Sequence, residues 1–227
     1  GKINLTTGVY KDATGITPVL DCVKQAERRL VETETSKGYL GIDGMKEFGD
    51  LARGLLFGTE HEITTSGRTA TIQAPGGTGA LRVAAEFLRR AFPDARIWCS
   101  RPTWANHTGI FTAAGLEVDA YGYYDTAAGT LDAQALLDSL AKIPAGDIVC
   151  LHACCHNPTG VDPSIEQWQE MSQVISDRGL LPLVDFAYQG FGDGLEADAE
   201  GLRALADAGG PLLVASSFSK NFGLYGG

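Results

Sequence analysis

The chain has 227 residues, of which 44% are hydrophobic and 20% charged, with 29 glycines and a net charge of −10. At about 150 residues per domain this is one large domain or one and a half. An acidic chain with no basic block speaks against a nucleic-acid partner, and no apolar run approaches membrane-spanning length.

The five cysteines, Cys22, Cys99, Cys150, Cys154 and Cys155, sit in mostly apolar settings. They suit reduced thiols in a cytoplasmic protein better than a disulfide framework. A zinc site from Cys150, Cys154, Cys155 and His156 is set aside, because zinc ligands usually come as two spaced pairs and the sequence offers one.

Taken in order, residues 1–10 are expected to be extended. Pro18 opens a helical pattern carried by Val19, Cys22, Val23, Ala26 and Leu30. A polar turn with Lys37, Gly38 and Tyr39 follows. A second helix is expected from an Asp43 cap through Met45, Phe48, Leu51, Ala52 and Leu55 to Gly58. Residues 63–75, rich in threonine, are read as a strand. Gly76-Gly77-Thr78-Gly79 then feeds a helix with Leu81, Ala84, Ala85 and Leu88 on one stripe.

From residue 96 strand and helix alternate. Strands are expected over 96–100, 116–121, 147–152, 180–184 and 212–216, and helices over 108–114, 131–143, 163–178 and 195–208. Such alternation predicts an α/β fold, a mostly parallel sheet sandwiched by helices. Ligands of such sheets bind beyond the carboxyl ends of the strands. The residues expected there include Trp104, Asn157, Asp185, Tyr188, Ser217 and Lys220.

Lys220 stands just past an apolar strand, among Ser216, Ser217 and Ser219. A partly desolvated amine can form a Schiff base, although many loop lysines are plain surface residues. A glycine–threonine turn at a helix start, here Gly77-Thr78, is suited to a phosphate, or is simply a turn. Trp104 offers a ring face for stacking, or belongs to the core. Asp185 follows Leu181-Pro182-Leu183-Val184, where a carboxylate needs an opposing positive charge, or caps a turn. Asn157 and Tyr188 can hydrogen-bond a phenolate oxygen. Together these are the requirements of pyridoxal 5′-phosphate, an electron sink for carbanions.

Five stretches carry a resemblance: Gly-Gly-Thr-Gly-Ala-Leu-Arg at 76–82, Pro-Thr-Trp-Ala-Asn-His at 102–107, Cys-Cys-His-Asn-Pro-Thr-Gly at 154–160, Asp-Phe-Ala-Tyr-Gln-Gly-Phe at 185–191 and Ser-Phe-Ser-Lys-Asn-Phe-Gly-Leu-Tyr at 217–225. In that order they resemble the class I pyridoxal-phosphate aminotransferases, in the aspartate and aromatic aminotransferase branch. The resemblance implies the large domain of the fold-type I pyridoxal-phosphate enzymes over residues 16–227, with residues 1–15 leading in from a small domain. It implies that Lys220 forms the Schiff base and moves the substrate proton. Asp185 would face the pyridinium nitrogen, with His107 behind it, and Asn157 and Tyr188 would hold the ring oxygen. Trp104 would stack on the ring, Gly77, Thr78 and Ser217 would hold the phosphate, and Tyr39 would reach the phosphate of a neighbouring subunit. Gly8, Trp104 and Asn157 would lie near substrate.

The activity so implied is transfer of an amino group from aspartate or an aromatic amino acid to 2-oxoglutarate, by a cytoplasmic homodimer with shared active sites. Another reaction of the same cofactor fold, or a catalytically incompetent fragment, is the alternative. The sequence is expected to be a segment of a longer chain. Relatives carry a phosphate-binding arginine just beyond the Tyr225 stretch, then the carboxylate-binding arginines and the rest of the small domain.

Overall fold

The computed structural model describes residues 8–225. The extended reading of residues 1–7 lies outside the described residues. Helix α1 (Asp21–Thr33) buries only Val23, and helix α2 (Lys46–Phe57) follows it. A single helical turn, α3 (Glu62–Thr65), precedes the longest helix, α4 (Gly76–Ala91). Then come β1 (Ile97–Arg101), α5 (Ala105–Ala113), β2 (Val118–Gly122), a two-rung hairpin of β3 (Tyr124–Asp125) and β4 (Thr130–Leu131), and α6 (Ala133–Leu140). The chain continues through β5 (Ile148–His152), α7 (Ile165–Arg178), β6 (Leu181–Phe186), a 3-10 turn (Ala197–Ala199), α8 (Glu200–Asp207) and β7 (Leu213–Ser216).

The expected α/β architecture is present. β2, β1, β5, β6 and β7 form, in that order, one fully parallel sheet. Every strand predicted after residue 96 belongs to it. The strand expected over 63–75 does not form. Its threonine hydroxyls bond locally instead: Thr64 Oγ1 donates to the Gly58 carbonyl, Thr69 Oγ1 to that of Ile63, and Thr71 Oγ1 accepts from Arg53. These short bonds satisfy the segment in a non-sheet path. The expected Asp43 cap is likewise displaced. Met45 holds the N-cap of α2 without a side-chain bond, and the Asp43 carbonyl accepts instead from the Gln73 amide.

Period-two alternation gives each strand two faces. Ile148 and Cys150 of β5, Leu181 and Leu183 of β6 and Ala215 of β7 pack on Leu81, Ala85 and Leu88 of α4 and Phe111 of α5. Leu81 and Leu88 are essentially fully buried, each worth about 1.5–3 kcal/mol. The opposite face, with Val149, Leu151, Val184 and Phe186, packs on α6, α7 and α8. The α7 helix is bounded by a Ser164/Gln167 capping box and by Gly179 in the left-handed region.

Register fixes the level at which side chains leave the sheet. His152 of β5 sits beside Asp185 of β6, which sits beside Ala215 of β7. His152 and Asp185 continue the odd–even row of Ile148–Cys150 and Leu181–Leu183. They therefore emerge at the carboxyl edge on the α4 side.

Candidate functional site

Beyond that edge lies a cleft of about 270 Å³. Its lining collects residues from five separate stretches. The α4 start contributes Gly76, Gly77 and Thr78, and the loop after β1 contributes Trp104. His152, Cys154 and Asn157 come from the end of β5, Asp185 and Tyr188 from β6, and Ser217, Ser219, Lys220 and Tyr225 from beyond β7. Eight sequence-predicted positions, Gly77, Thr78, Trp104, Asn157, Asp185, Tyr188, Ser217 and Lys220, thus surround one space.

Asp185 is the buried carboxyl group of the cleft, 8% exposed. Its Oδ2 lies 3.0 Å from Nε2 of the fully buried His107. The other ring nitrogen, Nδ1, is 2.8 Å from Thr103 Oγ1. An ionised carboxylate can only accept, so Nε2 carries the proton and Nδ1 accepts from the threonine hydroxyl. His107 is placed for this because α5 starts at Ala105 and carries it into the sheet, stacked between Phe111 and His152. Trp104, the N-cap residue of α5, meets the His107 ring edge-on at 5.3 Å.

Lys220 Nζ lies 4.9 Å from the centroid of the Tyr188 ring. Burial lifts the Tyr188 hydroxyl above the ordinary phenol range. The Asp185 charge adds to that, and a hydrogen bond with Asn157 opposes it. The phenol therefore stays protonated at neutral pH and is available as a donor.

At the α4 start, Pro75 occupies the N-cap and makes no side-chain cap bond, so the first-turn amides of Gly76, Gly77 and Thr78, residues that line the cleft, are left without a side-chain cap. A Cβ at Gly77 would stand 3.1 Å from Ser217 Cβ, so a larger residue would push on the β7 loop by a few tenths of an ångström. Ser217 Oγ accepts from the Ser219 amide at 3.3 Å and lies 3.2 Å from Ser219 Oγ. Amides, hydroxyls and a helix N-terminus together form a concave anion seat.

Two predicted positions lie elsewhere. Tyr39 is completely exposed and Gly8 is exposed, and neither lines the cleft. Sequence reasoning missed His152, Cys154 and Tyr225. Both His152 ring nitrogens are buried without a hydrogen-bond partner, and burial drives the imidazole down to about 3. The period-two row through Ile148 and Cys150 was the signal for it. Tyr225 Oη accepts from the Tyr10 amide at 2.9 Å, tying the early chain to the Lys220 loop. Among the described residues, possible metal-ligand triads are Cys99–His107–Cys150 and His107–His152–Asp185, and the set that includes Cys154, Cys155 and His156 does not converge. His156 is already engaged by Ser100 and Thr159.

The profile of the family "Aminotransferase class I and II" matches residues 1–227. The chain belongs to this family. It is 58% identical over 225 residues to the aspartate aminotransferase of Escherichia coli (strain K12), covering 99% of this chain and 57% of that one. The crystal structure of an aromatic amino acid aminotransferase from Burkholderia cenocepacia J2315 superposes with a TM-score of 0.96 at 51% identity, covering 99% of this chain and 56% of that one. The aromatic-amino-acid aminotransferase from Burkholderia pseudomallei, solved covalently bound to pyridoxal phosphate, also gives a TM-score of 0.96, at 45% identity and the same coverage. The fold is thus that of the aspartate-aminotransferase-like enzymes. The chain spans about 57% of the length of the curated relatives it matches. No described helix is long and apolar enough to cross a membrane.

Proposed function

We propose that the protein is a pyridoxal-phosphate-dependent transaminase that moves an amino group from L-aspartate or an aromatic L-amino acid to 2-oxoglutarate, with Lys220 as the covalent anchor for the cofactor's aldehyde. The observation that carries this reading is the convergence of one lysine, one buried carboxylate and one anion seat on a single cleft.

The residues present fit the cofactor. The Gly77 gap, the uncapped α4 amides and the Thr78, Ser217 and Ser219 hydroxyls suit a phosphate. Asp185, buried and held by His107, suits a protonated ring nitrogen. Relatives at this level of similarity include one solved with pyridoxal phosphate attached.

When bound, pyridoxal phosphate supplies an electron-withdrawing ring that stabilises negative charge at a substrate α-carbon. Asp185 would face the ring nitrogen, and His107 holds Asp185 in orientation. Tyr188 and Asn157 would donate hydrogen bonds to the ring oxygen. Trp104, which lines the cleft, would cover one ring face and keep water from it. Lys220 Nζ would hold the cofactor's aldehyde and, once freed by substrate, would serve as the base that accepts the substrate α-proton. A fixed carboxylate facing the ring acts where charge develops, which is preorganised electrostatic stabilisation.

We place Gly8 near the substrate carboxylate and read residues 16–227 as the cofactor-binding domain. Tyr39, wholly exposed with Ile42 beside it, fits a residue that one protomer lends to its partner in a homodimer. Five free thiols fit a cytoplasmic location.

The test is nitrogen exchange by the full-length protein, with aspartate or phenylalanine as donor and 2-oxoglutarate as acceptor. Glutamate formation from either donor supports the reading. If neither donor yields glutamate in the presence of pyridoxal phosphate, transamination is wrong.

A further inference from the structure

The turn after β5 carries a feature that transamination leaves unused. Cys154 and Cys155 are covalent neighbours, both are free thiols, and each side chain shifts the acidity of the other. Cys154 lines the cleft, whereas Cys155 is half-buried and packs against the neighbouring core.

The pair is held rigidly. Cys155 has φ of 49°, a left-handed conformation that a cysteine seldom adopts. Asp162 fixes it there: its Oδ2 accepts from the Cys155 amide at 2.5 Å and its Oδ1 from the His156 amide at 2.8 Å. On the other side the Ala153 amide donates to the Asp185 carbonyl at 3.0 Å, locking the turn to β6.

We propose that Cys154–Cys155 is a vicinal-dithiol receptor for trivalent arsenicals of the R–As=O class, opening onto the cleft. The two thiols give up their hydrogens to the oxygen, which leaves as water. Two As–S bonds form and arsenic stays trivalent, so no oxidant or reductant is needed.

Geometry favours this product over a disulfide. Consecutive Cα atoms are about 3.8 Å apart, short of the roughly 4.4–6.8 Å that disulfides prefer, so a direct S–S bond would be strained. A bridging arsenic adds one atom to the ring and lets the sulfurs stay apart. Soft thiolates prefer soft acceptors. The interaction between the two thiols holds Cys155 below the usual thiol range and pushes Cys154 above it. Cys155 therefore attacks first and Cys154 closes the ring.

The other thiols are poorer candidates. Cys99 and Cys150 also touch, but both are buried between β1 and β5. Cys22 is exposed, on α1, far along the chain from the turn.

The experiment uses phenylarsine oxide on the reduced full-length protein, read by intact mass and by peptide mapping. The expected result is one adduct per chain, heavier by the reagent less one water, mapped to the peptide holding Cys154 and Cys155. A dithiol should release it, and a monothiol at equal thiol concentration should not. Cys154→Ala and Cys155→Ala should each lower retention by about tenfold or more. Mapping needs no variant, so a misfolded substitution does not blur the outcome. No adduct, an adduct on Cys99–Cys150, or equal release by monothiol and dithiol would each overturn the proposal.

Discussion

Replacing His107 by alanine removes the partner that holds Asp185. The imidazole is fully buried, and its bond to Asp185 Oδ2 is the one side-chain hydrogen bond to that carboxylate among the described residues. Its other nitrogen engages Thr103, and its ring stacks on Phe111 and His152. Hydrogen bonds to charged groups contribute about 1.5–3 kcal/mol. Loss of the buried ring's packing adds to this, so a cost of about 3 kcal/mol is expected. Urea unfolding of the full-length protein measures it as a shift of the midpoint at unchanged slope. His107→Gln, which can keep an N–H near the carboxylate, should recover roughly half of the loss. Cofactor affinity should fall with stability in the alanine variant. Both variants within about 0.5 kcal/mol of the parent would refute the claim that His107 secures Asp185, because that is the range of an uninvolved surface site.

Three further substitutions or titrations test separate parts of the account. Gly201→Ala would set a Cβ 2.4 Å from the Trp168 indole, so α8 must lift from α7, and a lower Tm worth about 1–3 kcal/mol is expected. Gly77→Ala pushes on Ser217 at 3.1 Å, and pyridoxal phosphate affinity should fall by about tenfold, ~1.4 kcal/mol, with Tm nearly unchanged. An unchanged affinity would remove Gly77 from the anion seat. Burial lowers His152 to about 3 and His156 to about 4 from an ordinary 6.5, so the unfolded chain binds protons that the folded chain refuses. Stability should therefore fall as pH drops from about 6.5 toward 4, and His152→Asn should flatten the part between pH 6.5 and 5, where carboxylates remain largely ionised. An identical slope in both proteins would place His152 in water.

Much of this was legible because the sheet is parallel and buried on both sides. Apolar runs such as Ile148–Leu151 and Leu181–Val184 have few alternatives to a strand, and each ends in a polar residue just where a cleft must open. Lys220 and Asp185 were visible for that reason. The threonine stretch at 63–75 misled because β-propensity expresses fit to a pleated surface, and here the hydroxyls found local carbonyls instead. His107 behind Asp185 came from the resemblance, since 78 residues separate the two and no local pattern joins them. His152 could have been found from the row it shares with Ile148 and Cys150. The packing of Gly201 on Trp168 could not, because a helix glycine reads as a weak helix former until its neighbour is known.

The central claim is that the cleft holds pyridoxal phosphate on Lys220, and borohydride trapping tests it most directly. The full-length protein is mixed with pyridoxal phosphate, reduced and digested, and the modified lysine is located by mass spectrometry. The account predicts a visible absorption band that reduction removes and a single stable label on Lys220, lost in Lys220→Ala. A label on another lysine, or no label at saturating cofactor, would contradict it.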